Sequence, residues 1–327
     1  MAALTAIAAQ LATLGVSATL TGVGSTVQSA MPATNLAGGS GSFKTARFTS
    51  EQYSGTPETT ESAQIRTDRM SSGQIVTGLT VDGGHNFELA KEEAIEDFME
   101  SAMFNSWTTS TEKSANMTID VGAQSIARSA GSFLEDGVVP GDFVVLSDFT
   151  NPSNNVVVMV MEVGLLGAYV KYAGPAGMMA ETATANFQVC DKLSVGITKK
   201  PMTIEKTFLD LTTKALIYRG CLVSQMELNV EYGSLISGSF QTQGVDYESA
   251  DAASEFASYL TDFKDPATTN SLNGSVDMPF LATDVTGIWA QDSFCLQSLS
   301  ISLNNNLTVQ NCIGKAAPED YSPGKLS

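Results

Sequence analysis

Residues Thr49 to Trp107 read TSEQYSGTPETTESAQIRTDRMSSGQIVTGLTVDGGHNFELAKEEAIEDFMESAMFNSW. The stretch opens with a polar loop and passes into a strand marked by Arg66, Asp68 and Arg69. A second strand follows in Ile75–Val81, where IVTGLTV is rich in β-branched residues and is bounded by Ser71-Ser72-Gly73 and Gly83-Gly84, both turn signals. Asn86 then predicts a helix N-cap. Phe87, Ala90, Ala94, Ile95, Phe98, Met99, Ala102 and Met103 recur near i, i+3, i+4 and i+7, the spacing of a helix with one core-facing stripe. Glu88, Glu92, Glu93, Glu96, Asp97 and Glu100 fall on the other side and read as a solvated face, since carboxylates at i, i+4 repel only mildly and need no ion.

Working outward, the chain of 327 residues, 43% hydrophobic and 16% charged, is long enough to bury a large core as one elaborated domain or two ordinary ones. Its 17 Lys+Arg against 35 Asp+Glu leave a net charge of −18, which excludes a partner held by phosphate neutralisation over a basic patch. Residues 1–42 carry no charge and end in the linker-like Gly38-Gly39-Ser40-Gly41-Ser42. Such a segment can be buried between subunits without desolvating an ion. It has no basic n-region, and Gln10, Thr13 and Ser17 interrupt its apolar run, so it predicts neither a signal peptide nor a membrane span, and the chain reads as made in the cytoplasm without membrane insertion. Cys190, Cys221, Cys295 and Cys312 are too far apart for a Cys-x-x-Cys metal pair and read as buried free thiols.

The remaining organisation is a first domain part at 43–111, an inserted all-β module at 112–196 and a second part at 197–327. Short β-type runs separated by Gly, Pro and Asn mark the insert, and Asp142 and Asp148 read there as turn formers. In the second part, Met226, Leu228, Val230 and Tyr232 alternate with Glu227, Asn229 and Glu231. Ile236, Gly238 and Phe240 alternate with Ser237, Ser239, Gln241 and Gln243. These are strands wet on one face and buried on the other. Residues 246–273 read as a polar surface connection. Leu299, Ile301 and Leu303 alternate with Ser298, Ser300 and Ser302.

Nothing converges into a catalytic or metal site, and no cofactor is expected. The single histidine, His85, beside the Gly-Gly pair, reads as a surface or capping residue. The chain has no Gly-x-Ser-x-Gly elbow, no dinucleotide fingerprint and no phosphate loop. Arg66, Asp68 and Arg69 read as an inter-subunit salt bridge, Arg66 and Asp68 sharing a strand face.

Several of these features resemble one family. The run Ser62-Ala-Gln-Ile65-Arg66-Thr-Asp68-Arg69 ahead of a hairpin strand and one helix is similar to the tail tube proteins of long-tailed, non-contractile bacteriophages. So are Tyr218-x-Gly220 followed by the Tyr232-Gly233 turn, the Asn304–Asn306 run with Gly314, and Gly141-Asp142 with Asn154-Asn155 in the insert, although Val156 stands where the family usually has Gly. The resemblance implies a mainly β fold, a tail-tube-type β-sandwich or barrel with one flanking α-helix and an inserted small all-β module. It implies six subunits per ring, stacking into the virion's tail tube and contacting tape-measure, tail-terminator and distal tail proteins, with dsDNA passing through transiently. About four strands per subunit at ~4.8 Å spacing and ~40° tilt give a backbone diameter of about 48 Å. In that setting Glu227, Asn229, Glu231, Ser237, Ser239 and Gln241 would face the lumen. Two readings remain beside it: another virion assembly protein, such as an adaptor or decoration subunit, and a secreted β-sandwich binding module.

Overall fold

The computed structural model describes residues 22–24, 43–44, 46–63, 73–90, 93–207, 214–251, 263–264, 271–272 and 297–327. It is mainly β, 52% strand and 7% helical. Two compact units are present: one of residues 1–105, 195–277 and 298–327, the other of 106–194 and 278–297.

The first unit contains β1 (Gly22–Gly24), β2 (Phe43–Lys44), β3 (Ser50–Glu51), β4 (Ser54–Glu61), β5 (Gln74–Glu88) and helix α1 (Glu93–Met103). The second holds β6 (Lys113–Asp120), β7 (Ser125–Arg128), β8 (Phe143–Ser147), β9 (Val157–Val163), β10 (Tyr169–Ala173) and β11 (Glu181–Val189). The chain returns to the first unit with β12 (Met202–Thr207), β13 (Lys214–Glu231), β14 (Ser237–Gly244), β15 (Asp246–Asp251), β16 (Phe263–Lys264), β17 (Ser298–Asn304), β18 (Thr308–Gln310) and β19 (Asp320–Ser322).

The second unit is a closed barrel in the order β10-β7-β6-β11-β8-β9, and closure leaves it no unpaired edge. Met117, Ile119, Val144, Leu146, Val158, Val160 and Phe187 alternate inward and are buried together. Asp142 accepts from the Val139 amide at 3.0 Å and pairs with Lys192 at 2.7 Å, so it is a turn former as its sequence context suggests. Asn154 and Asn155 clamp loops: Asn154 bonds the Met179 backbone through both ends of its amide, and Asn155 does the same to Phe149. Val156 is not among the described residues with positive φ, so the position after the pair needs no left-handed residue and valine fits where glycine was expected.

In the first unit, β13 is the axis. Its first half is flanked by β12 and β15, its second half by β14 and β17. Two irregularities break its alternation. Gly220, at φ +62°, shifts the register against β12, and a second shift between Val223 and Gln225 bulges the strand against β14. Each extra residue exchanges the faces. Leu216 and Tyr218 therefore reach the core, then Cys221 and Val223, then Met226 and Leu228. Helix α1 covers that core with Ala94, Ile95, Phe98, Met99 and Ala102, the stripe its periodicity predicts. The backbone groups loosened at the second bulge are taken up by neighbours. Val223 N–H donates to Ser101 Oγ of α1 at 3.2 Å, and Asn305 Nδ2 donates to Val223 O at 2.8 Å and to Ala102 O at 2.9 Å.

Several local expectations are corrected. Residues 54–61 form β4, paired along β5, where a polar loop was expected. Gly83 and Gly84 lie inside β5 and form no turn: a Cβ on Gly84 would sit 2.2 Å from Phe240 O, so glycine there allows close strand approach. Asn86 and Phe87 belong to that strand, and the described helix begins at Glu93, because pairing with β14 continues to Glu88 and overrides the helical spacing. Residues 246–251 are β15 on β13, with Arg219 bonding both Asp246 and Glu248. Of the cysteines, Cys221 is buried, Cys190 half-buried and Cys312 exposed, and Cys295 lies outside the described residues.

His85 is not a surface residue. It is 2% exposed, its Nδ1 lies 2.7 Å from Tyr53 Oη, and its ring meets Phe98 edge-on at 4.6 Å. Burial depresses its pKa to about 4 and pushes the Tyr53 phenol well up. Tyr53 is thus the donor and imidazole the neutral acceptor. Its Nε2 is buried without a hydrogen-bond partner.

Candidate functional site: a polar sheet face without cations

The second half of β13 lies at the centre of a sheet ordered β17-β13-β14-β5-β3. Because the registers are antiparallel and direct, residues of one parity line up in rows across the strands. One row is Ser302, Glu227, Ser239, Asn86 and Ser50. The next is Ser300, Asn229, Ser237 and Glu88. A third is Asn304, Gln225, Gln241 and Gly84. The opposite parity places Leu228, Gly238 and Phe87, then Leu303, Met226, Phe240 and His85, against the core; Ile301, beside Leu228 on the edge strand β17, stays exposed.

All six residues assigned from alternation therefore lie on one face: Glu227, Asn229 and Glu231 on β13, and Ser237, Ser239 and Gln241 on β14. The face is tied together by short hydrogen bonds. Gln225 Nε2 donates to Glu227 Oε1 at 2.6 Å, Ser300 Oγ to Asn229 Oδ1 at 2.6 Å, and Asn86 Nδ2 to Ser50 Oγ at 2.8 Å. The segments 82–88, 225–231, 237–243 and 298–304 contain no Lys or Arg. Arg66, Asp68 and Arg69 lie outside the described residues.

Sequence reasoning missed Asn86, Glu88, Gln225 and the serines of β17 as members of this face. For Ser298, Ser300 and Ser302 the alternation is visible, but nothing local says which sheet they join. Asn86 and Glu88 gave the wrong signal, since they continue a helical pattern.

The surface offers acceptors and small hydroxyls with no nucleophile paired to a base, and the described residues hold no group of three or more His, Cys, Asp or Glu placed to bind a metal. A family model described as "Phage tail tube protein" matches residues 9–327. The chain belongs to the phage tail tube protein family. That membership makes it a structural component of the virion tail. A search of curated proteins returns no match.

Proposed function

We propose that copies of this tail tube protein close into rings, six to a ring, that stack into the conduit for genome DNA, with the polar face of β17-β13-β14-β5 lining the bore. The observation that carries this reading is the absence of Lys and Arg from four adjacent strand segments whose outward residues are Ser, Asn, Gln, Glu and Asp. A cation there would pair with passing phosphates; carboxylates and hydroxyls do not. Among the described residues β17 pairs only with β13 and β3 only with β5, which supports lateral closure, because a ring of subunits removes exposed strand edges.

In this reading the subunit is made in the host bacterial cytoplasm, its main partner is itself, and tape-measure, terminator and distal tail proteins meet the tube at its bore and ends. Arg66, Asp68 and Arg69 form a salt bridge between subunits. Negative-stain microscopy of the purified protein tests ring formation: stacked rings or tubes are expected, and a persistent monomer with sugar affinity would favour a binding module. For the bore, tails carrying Glu227→Lys and Glu231→Lys should assemble normally and release DNA more slowly. The delay should shrink with added salt, each lysine–phosphate contact steepening the logarithmic salt dependence by about 0.9. Unchanged ejection kinetics would remove these residues from the bore.

A further inference from the structure

The turn that joins β13 to β14 ends in side chains that its own sheet does not bury. Glu231 O accepts from the Ser234 amide at 3.3 Å and from Ser234 Oγ at 3.2 Å. This closes a tight turn with Tyr232 and Gly233 at its corners, and Gly233 takes the positive φ, +79°, that the second corner demands. By parity Tyr232 continues the dry row of Met226, Leu228 and Val230. The sheet, however, ends one residue earlier, where Glu231 faces Ser298. Tyr232 is 77% and Leu235 44% exposed. The opposite end of the same strands carries a groove. From Ser237, beside the turn, β14 runs six residue steps to Gln243, about 20 Å. There Leu79, Val81, Leu307, Val309, Ile313 and Tyr321 line a cleft of about 560 Å³, with Val309 and Ile313 exposed. The cleft is firmly built, since β18 and β19 pair beside it and Tyr321 Oη donates to Gly244 O at 3.0 Å. Gln243, also on its lining, holds its side-chain Oε1 without a hydrogen-bond partner.

We infer that the Tyr232–Leu235 turn of one copy docks in this groove of the copy stacked on it. The inference rests on the tube reading, which stacks copies end to end. Turn and groove sit at opposite ends of one sheet, so a subunit does not fill its own groove. The contact is heterologous, and a heterologous contact that does not close repeats into a column. Residues 232–235 carry no charge, so burying them desolvates no ion. The groove suits an amphipathic ring: its apolar walls take the body of the tyrosine, and the phenol supplies the donor that Gln243 Oε1 lacks. A tyrosine buries about 150–250 Å², far less than the ~800 Å² per partner of a stable interface. One contact therefore does not hold two free subunits together. Six acting at once between closed rings gain from effective concentration, so stacking follows ring closure.

The test uses the full-length chain and its native Cys312, which is exposed and lines the groove. Ser234→Cys places a thiol on the turn and keeps Tyr232 and Leu235. Assembled protein oxidised with copper–phenanthroline should run on a non-reducing gel as a ladder extending beyond the dimer. Mass spectrometry should find the 234–312 disulfide at least fivefold above any other link, and Ser234→Cys with Cys312→Ser should lose the ladder. Separately, Tyr232→Ser with Leu235→Ser should leave the subunit's unfolding midpoint and ring formation unchanged while shortening the mean stack at least threefold in negative stain. Tubes without the 234–312 link, a ladder that stops at closed dimers, or unchanged stack lengths would overturn the inference and leave the tube reading standing. Monomers from the native sequence would reject the tube reading and this contact with it.

Discussion

Acid should loosen the first unit through His85. In the native state this imidazole is neutral, with a pKa near 4, because it is sealed among Phe87, Phe98 and Phe240 and accepts from Tyr53. In the unfolded chain it titrates at its ordinary value of about 6.5. Above that pH both states are neutral, and His85 contributes no pH dependence. Between about 6.5 and 4 only the unfolded state binds the proton, so stability falls as pH falls, by about 1.4 kcal/mol per unit and about 3 kcal/mol in all; below 4 the loss levels off. The chain has one histidine, so its ring resonances are unambiguous in NMR. Their midpoint should lie near pH 4. Urea unfolding of the unassembled subunit at pH 7.5 and 4.5 should show a larger loss for the native sequence than for His85→Gln, the difference isolating this group from the carboxylates. A native midpoint near 6.5, or equal losses in the two proteins, would refute the reasoning.

Phe240 is fully buried and stacks on Phe87 at 4.7 Å and Phe98 at 5.1 Å; Phe240→Ala should cost about 3–5 kcal/mol of stability by denaturant titration, and a cost below 1 kcal/mol would mean the aromatic cluster does not bind α1 to the sheet. Asn305→Ala strands the carbonyls of Ala102 and Val223 and should cost about 1–3 kcal/mol, with faster hydrogen exchange at the end of α1 as its local readout. In the barrel, Asn154→Ala leaves the Met179 amide without its 2.9 Å partner. It should lower stability by a similar ~1–3 kcal/mol, seen as faster amide exchange around Met179 and Glu181.

The mainly β character was legible in the sequence, because strand alternation has a period of two and survives any register. The same holds for the wet and dry faces of Gln225–Glu231 and Ile236–Gln243 and for the core stripe of α1, each written by local spacing against one apolar layer; Tyr232, expected on the dry face, lies just past the end of β13 and is exposed. The chain's identity as a tail tube subunit was also legible in short motifs spread along it. What became of His85, Asn86 and Glu88 was not legible. A strand of five or six residues next to a helix gives the same apolar spacing on either reading, and the pairing with β14 that extends β5 to Glu88 lies some 150 positions away in the chain. Nor could spacing reveal that two strand-like runs are one strand, β13, since the shifts at Gly220 and Ser224 invert its parity and the partners that absorb the second, Ser101 and Asn305, come from a helix and a distant turn. Parity along a strand is a local property written in the sequence. Which strands share a face is decided only when hydrogen-bonded register is set among segments far apart, and that register assembled the cation-free surface from four of them.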